Sequence, residues 1–398
     1  MSSPLSLRSL RAWRAGLAGL VAAFSLVACG GGSGGVDTGG TGAFSVGRIS
    51  GFGSIIVNGV RYDDSSAHVQ DDDGNDLKGQ LKLGMVVEVQ GTAPTPGAAG
   101  ELPRSTASHV EVSSVVKGPV TAASSNSLTV LGQSVTLTAS TVLDLGSVAA
   151  ADLEGRVVEV YGYPSASGPI VATRVELESS APAFYKLTGF VSNPNTSGGT
   201  TTFTLGGTSL TYTGALPEGF ANGRLVRVKL RADSPAPAVW TATEIRVRKV
   251  YDDHAEAEVE GVVTSYTSAG DFTVNGLRVD ASRATFEGSG TLAAGVRVEV
   301  EGSIQNGVLI ARKVEFEDDE SEDEREIELH GAISGFTAGT GSSATFVVRG
   351  VAVRVDGTTT YKDGLSFGAL ANSLAVEVKG RLHTDGATVI ATEVKRDD

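Results

Sequence analysis

Short runs in which valine alternates with charged or polar residues recur along most of the chain. In Gly295-Val-Arg-Val-Glu-Val-Glu-Gly302 the apolar positions Val296, Val298 and Val300 are separated by Arg297, Glu299 and Glu301. A period of two sends one set of side chains to a core and the other to solvent, so the run predicts a half-buried strand. Its neighbours complete a small β unit. Glu258–Thr264 reads as a strand with Gly261 at a bulge or sharp coil. Phe272–Val274 and Leu277–Val279 read as short strands joined by Asn275-Gly276, a two-residue hairpin signal. Thr291–Ala294 leaves room for one helical turn, and Val308–Phe316 is the fifth strand.

The same unit is written five times. Gly47, Gly118, Gly189, Gly261 and Gly331 sit in the opening strand at spacings of 71, 71, 72 and 70. The valine-rich run recurs at 84–91, 155–162, 223–230, 295–302 and 373–380, and a closing Ala-x-x-Val/Ile-x run begins at Ala107, Ala172, Ala242, Ala311 and Ala391. Three markers in one order predict repeats at 43–112, 113–178, 184–249, 255–317 and 327–396. Each is β-β-β-turn-β-β, the order of an OB-like five-stranded barrel, although a small β-sandwich accepts it too. A unit this size buries only ~60% of its unfolded surface, a physical reason for tandem copies to pack on one another.

The first residues follow another pattern. Arg8, Arg11 and Arg14 precede an apolar run from Leu17 to Ala28, with no acid before residue 29. The run is too short for a bilayer core, which needs about 20 apolar residues, and fits the h-region of a secretory signal at 1–28. It ends in Leu26-Val27-Ala28-Cys29, and Cys29 is the only cysteine. These four residues resemble the lipobox of bacterial lipoproteins, which implies lipidation of Cys29 and attachment to a membrane without a transmembrane helix. Residues 29–42 then read as a Gly-rich tether. Such lipoproteins are retained at the inner membrane by an Asp after the Cys; Gly30 stands there, so the resemblance implies the outer membrane, facing the periplasm.

From the opening Gly-Arg-Ile-Ser-Gly-Phe-Gly-Ser-Ile-Ile-Val-Asn-Gly at 47–59 and the five valine-rich strands, the chain after the tether resembles bacterial lipoproteins built of tandem copies of the domain of unknown function 5666. That resemblance implies an envelope protein of barrel-like fold with no established activity. Copies two and three depart from it by lacking Asn-Gly at the hairpin, and copy three has Leu230 in place of the closing Gly.

Charge narrows the candidates. The 398 residues carry 46 acids against 32 Lys plus Arg, a net −14, and losing the three Arg of residues 1–28 lowers it to −17. Nine of those charges come from 315–328, which holds ten acids and one Arg. Its centre, 318–326, reads as a self-repelling linker; the alternative is weak capture of a divalent cation by Asp318, Asp319, Glu320, Glu322, Asp323 and Glu324. Asp71-Asp72-Asp73-Gly74-Asn75-Asp76 fails the EF-hand register and reads as a turn. One cysteine excludes a disulfide scaffold or a thiolate metal cluster.

Catalytic patterns are wanting. Gly31–Gly35 matches Gly-x-Ser-x-Gly, but within the tether, and Gly339–Ala344 matches a dinucleotide fingerprint, but precedes a strand. His68, His109, His254, His330 and His383 are widely spaced in sequence. A barrel for nucleic acid needs a positive groove and aromatic platforms, whereas this chain is acidic, so no nucleic-acid partner is expected. Copy three alone has a basic stretch, with Arg224, Arg227, Lys229, Arg231, Arg246, Arg248 and Lys249, expected to pair within the protein or to meet the acidic linker or an anionic glycan. The expectation is a non-catalytic, lipid-anchored binding or scaffolding arm without a cofactor. Its partner would be a polysaccharide, an envelope protein or a weakly held divalent cation. The alternative is an envelope hydrolase or carbohydrate-modifying enzyme with a site between repeats.

Overall fold

The computed structural model describes residues 42–98, 101–166, 168–233, 236–248, 251–317 and 326–397. The signal region, Cys29 with most of its tether, and acidic residues 318–325 lie outside these. What is described is all-β, and the five units are five small barrels.

Barrel 1 comprises β1 (Gly42–Phe52), β2 (Ile55–Val57), β3 (Val60–Asp63), β4 (His68–Asp71), β5 (Val86–Thr92) and β6 (Arg104–Val112). Strands β1, β2 and β3 form an antiparallel meander, β3 runs parallel to β6, β6 pairs antiparallel with β5, and β5 returns to β1. That ring of pairings closes a barrel and excludes a two-sheet sandwich. It is the OB connectivity. Barrel 2 repeats it with β7 (Val116–Ala123), β8 (Ser127–Val130), β9 (Gln133–Asp144), β10 (Val157–Tyr163) and β11 (Ile170–Leu177). Barrel 3 uses β12 (Phe184–Ser197), β13 (Thr200–Leu205), β14 (Thr208–Thr213), β15 (Leu225–Arg231) and β16 (Trp240–Val247). Barrel 4 has β17 (His254–Ser268), β18 (Asp271–Val274), β19 (Leu277–Asp280), β20 (Thr285–Glu287), β21 (Arg297–Gln305) and β22 (Val308–Phe316). In barrel 5 the first strand is split into β23 (Glu326–Ala332) and β24 (Ser334–Ala338). There β25 (Ala344–Val348), β26 (Val351–Val355), β27 (Thr360–Tyr361), β28 (Ala375–Leu382) and β29 (Thr388–Arg396) follow.

The periodic glycines have a packing cause. A Cβ on Gly47, Gly118 or Gly261 would lie 1.9, 2.4 or 2.1 Å from the side chain of Asn58, Leu131 or Asn275, the first residue of the facing hairpin. In barrel 4 that hairpin residue works as a staple, Asn275 Nδ2 donating to Glu260 O at 2.9 Å and Oδ1 accepting from Val262 N–H at 3.1 Å. The hairpin lacking Asn-Gly in barrel 2 keeps the backbone, with Leu131 at φ 48° and Gly132 at φ 76°. The closing glycines 91, 162, 302 and 380 sit at register shifts where a Cβ would meet a facing carbonyl oxygen at 2.1–2.5 Å. Barrel 3 makes the same shift with Leu230, turned fully into the core.

One local expectation differs. Residues 291–294 do not wind into a helical turn; a plain turn there is closed by Val296 N–H to Ala293 O at 3.2 Å. On the approach to it, Gly288 and Gly290 lie against Phe316, where a Cβ would come within 3.0 and 2.5 Å of that residue. The corresponding segments of barrels 2 and 5 do form single 3-10 turns, Ala150–Asp152 and Phe367–Ala369.

The barrels are docked onto one another. Strand β1 runs parallel to β17 through Ala43–Val46 and parallel to β23 through Gly51 and Phe52, so barrel 1 joins barrels 4 and 5 by one strand. Strands β7 and β12 join barrels 2 and 3, which share one continuous core. Tyr161 and Tyr163 of barrel 2 pack into the core of barrel 1. Burying apolar surface at these seams supplies what a single small barrel lacks.

Candidate ligand-binding cleft

A solvent-open cleft of about 400 Å³ separates barrels 3 and 4. Strand β12 brings Phe190 and Ser192 to one wall, the turn before β15 brings Asn222 and Arg224, and β15 opens on Leu225. The other wall comes from β17, β18 and β19, with Thr264, Ser265, Thr273, Leu277 and Arg278. This is the strand 1–2–3 side of barrel 4, the side OB barrels turn to oligonucleotides and oligosaccharides. The walls touch at the base, where a Cβ on Gly276 would lie 3.3 Å from Leu225.

Three arginines and no acid line the cleft. Arg248 is anchored: its guanidinium contacts Glu88 of barrel 1 and lies over the Tyr251 ring at 5.2 Å, while Tyr251 donates to Glu88 at 2.9 Å. Arg278 reaches Asp271 at 3.3 Å, but both side chains are more than half exposed, so the pair is weak. Arg224 is exposed, with no ion pair among the described residues. The wall hydroxyls bond one another, Thr264 to Thr273 at 2.7 Å and Ser265 to Thr273 at 2.8 Å.

Most of the basic stretch of copy three is consumed inside the protein. Asp71 staples its turn by accepting Asp73 N–H at 2.9 Å and Asn75 N–H at 2.8 Å, which presents Asp72 and Asp73 to barrel 3. Lys186 meets Asp72 at 2.9 Å, and Arg227 and Lys229 meet Asp73 at 2.5 and 2.8 Å. Burial alone would raise the Asp73 carboxyl, but the bonds from Arg227 and Lys229 outweigh it and hold it at about 2. Arg231 pairs with Asp233 at 2.6 Å. Lys249 lies outside the described residues.

Two further clusters occupy seams, and neither is visible in the sequence. Glu258, Glu299 and Glu301 each bring an oxygen within 4.8 Å of the others. Glu258 and Glu301 line a cleft of about 280 Å³ between barrels 1 and 4, beside Tyr62. Burial and mutual repulsion raise the carboxyls of both Glu258 and Glu299, while Lys313 holds Glu301 at 2.6 Å. The second cluster surrounds His330, where Nε2 lies 2.6 Å from Glu328 and Nδ1 2.9 Å from Asp397, with Glu377 at 3.8 Å. Burial pulls the imidazole pKa down, but the bonds to Glu328 and Asp397 win and the net shift is upward. His68 and His109, 41 residues apart, also stack at 5.5 Å because β4 and β6 pair in parallel at those positions.

The site residues expected from sequence, Cys29 and Asp318, Asp319, Glu320, Glu322, Asp323 and Glu324, lie outside the described residues. Of Gly339–Ala344, residues 339–343 are the turn between β24 and β25, closed by Gly339 N–H to Ser343 O at 2.7 Å, and Ala344 opens β25.

Comparison with known proteins agrees with the repeat architecture. The family described as "Domain of unknown function (DUF5666)" matches residues 45–97, 117–176, 260–315 and 330–395. The chain belongs to the DUF5666 family. The four matches fall on barrels 1, 2, 4 and 5 of this DUF5666 protein; barrel 3, outside them, has the same strand order. No curated protein matches the chain. Among solved structures it is similar to drosophila Unr CSD456, at 13% identity over 55% of this chain and 98% of that one, with a TM-score of 0.14.

Proposed function

We propose that this DUF5666 protein is a non-catalytic, lipid-anchored outer-membrane protein that holds five docked barrels in the periplasm as a binding platform. The cleft between barrels 3 and 4 is its ligand site. The anchor rests on Leu26-Val27-Ala28-Cys29 behind a basic, then apolar, leader. The binding reading rests on one observation above the others: a cleft of about 400 Å³ lined by three arginines and no acid in a strongly acidic chain. No helix among the described residues is long and apolar enough to cross a membrane, and the proposed attachment needs none.

Two experiments test the two halves. Globomycin should cause an unprocessed precursor to accumulate, and Cys29→Ala should abolish palmitate incorporation; normal processing in the drug removes the anchor. A photo-crosslinking residue at Asn222, in the cleft, should capture a cell-envelope component that the same residue at Thr337 of barrel 5 does not. Equal capture at both positions removes the cleft as the site.

A second reading has its own observation. Glu258 and Glu301 line the cleft between barrels 1 and 4 with Tyr62, and a carboxyl raised by burial, as Glu258 is, beside one ion-paired with Lys313, as Glu301 is, is the equipment of glycoside hydrolysis. Under that reading Glu258→Gln abolishes turnover of an envelope glycan; under the binding reading no turnover exists to lose.

A further inference from the structure

The chemistry of the cleft between barrels 3 and 4 narrows what it holds, given the reading of that cleft as the ligand site. We infer that it takes an acidic oligosaccharide, a sugar chain carrying carboxylates. The first ground is charge. Of the three arginines lining the cleft, Arg248 is already matched by Glu88. Arg224 has no ion pair among the described residues, and Arg278 has only the exposed Asp271. The two stand on different barrels, so a ligand spanning the cleft meets a guanidinium at each wall. A guanidinium binds a carboxylate through two parallel N–H···O bonds, and a chain with a carboxylate on successive sugars supplies more than one such partner.

The second ground is the remaining lining. Ser192, Ser265 and Asn222 bring hydroxyls and an amide, groups that between them donate and accept, as sugar hydroxyls do, with Thr264 and Thr273 bonded to each other. Phe190 and Leu277 add small apolar patches on which the C–H face of a sugar ring can rest. The volume lies at the lower end of the ~300–1,000 Å³ of small-molecule sites, and the cleft is open to solvent, as a chain that enters and leaves requires.

The third ground separates sugars from nucleic acid, the other polyanion that OB barrels hold. Binding single strands depends on aromatic faces on which bases stack. The Tyr251 ring in this cleft is already occupied, with Phe44 packed 4.6 Å from it and the Arg248 guanidinium 5.2 Å from its centre. Phe190 is then the one aromatic face left among the described lining residues, a resting place for a single ring and not the row of platforms that successive bases need.

Calorimetry on the full five-barrel chain after the tether tests this with three probes: a tetragalacturonate, maltotetraose and an oligothymidylate. The expected result is tetragalacturonate binding that weakens about tenfold or more in Arg224→Ala/Arg278→Ala, fades as salt rises to ~0.5 M, and is lost in Ser192→Tyr, which fills the cleft. Both arginines are exposed, and an unchanged circular dichroism spectrum shows that the double variant folds. Binding of maltotetraose as tight as tetragalacturonate, lost in Ser192→Tyr, overturns the acidic class while leaving the cleft as a binding site. Tighter binding of oligothymidylate overturns the sugar assignment. Tetragalacturonate binding unchanged in both variants overturns the location, and binding of none of the three overturns the inference, whereas the lipid anchor is judged separately by globomycin.

Discussion

Replacing Gly261 by alanine should damage barrel 4 through a residue fourteen positions away. The added Cβ would lie 2.1–2.4 Å from the Asn275 amide group, closer than real carbon atoms approach, so Asn275 must leave its place. It then gives up two bonds in a region with almost no solvent, those to Glu260 O at 2.9 Å and from Val262 N–H at 3.1 Å. Leaving a buried polar group without a partner costs about 1–3 kcal/mol, so two such groups, with some relaxation, place the effect near ~3 kcal/mol. Asn275→Ala removes the same two bonds without a clash and should cost a similar amount. The double variant should therefore be little worse than either single one, a coupling of about 2–3 kcal/mol in the double-mutant cycle. Urea denaturation gives the energies, and hydrogen exchange at the Val262 amide gives the location. Additive losses, or full protection of that amide in Gly261→Ala, would refute the staple.

Other consequences can be measured on the same chain. Asp72→Ala leaves Lys186 buried and Arg227 short of one partner at the seam of barrels 1 and 3, which should cost about 3 kcal/mol in urea, with part of the loss recovered in Asp72→Ala/Lys186→Met. Glu299 has a raised carboxyl pKa, so the folded state holds a proton that the unfolded chain gives up; stability is complete below the ordinary carboxylate range and is lost as pH rises through the raised value. Glu299→Gln should flatten that decline and make the protein more stable than wild type at alkaline pH, which a melting series against pH reads directly. His330 also has a raised pKa, so its contribution is present below about 6.5 and falls away as pH rises through the folded value. His330→Gln should remove that leg and expose the end of the chain near Asp397 to faster hydrogen exchange.

How much was legible in advance differs between the barrel and its seams. Strand ranges such as Val308–Phe316, the Asn-Gly hairpins and the glycine positions follow from the sequence because they obey local rules. Alternation sets faces, positive φ selects the hairpin residue, and a repeated close approach excludes a Cβ. What each glycine faces came from the structure, which sets Gly47 against Asn58, Gly261 against Asn275 and the closing glycines against backbone carbonyls. The basic stretch of copy three was visible as charge, but its destination was not. Asp72 and Asp73 lie more than 110 residues from Lys186, and nothing in either segment names the other.

By itself, then, the sequence determined the number of units, the strand order within each and the motif that ends at Cys29, since each is written in contiguous or periodic residues. Only the tertiary structure decided that barrel 1 is the hub, pairing β1 with both β17 and β23. It alone brought Glu258, Glu299 and Glu301 together, set Glu258 and Glu301 in a cleft with Tyr62, stacked His68 on His109, and opened the arginine-lined cleft between barrels 3 and 4. The physical reason is one of range: alternation and turn chemistry act within a few residues, whereas a seam forms where two finished surfaces match in shape and charge.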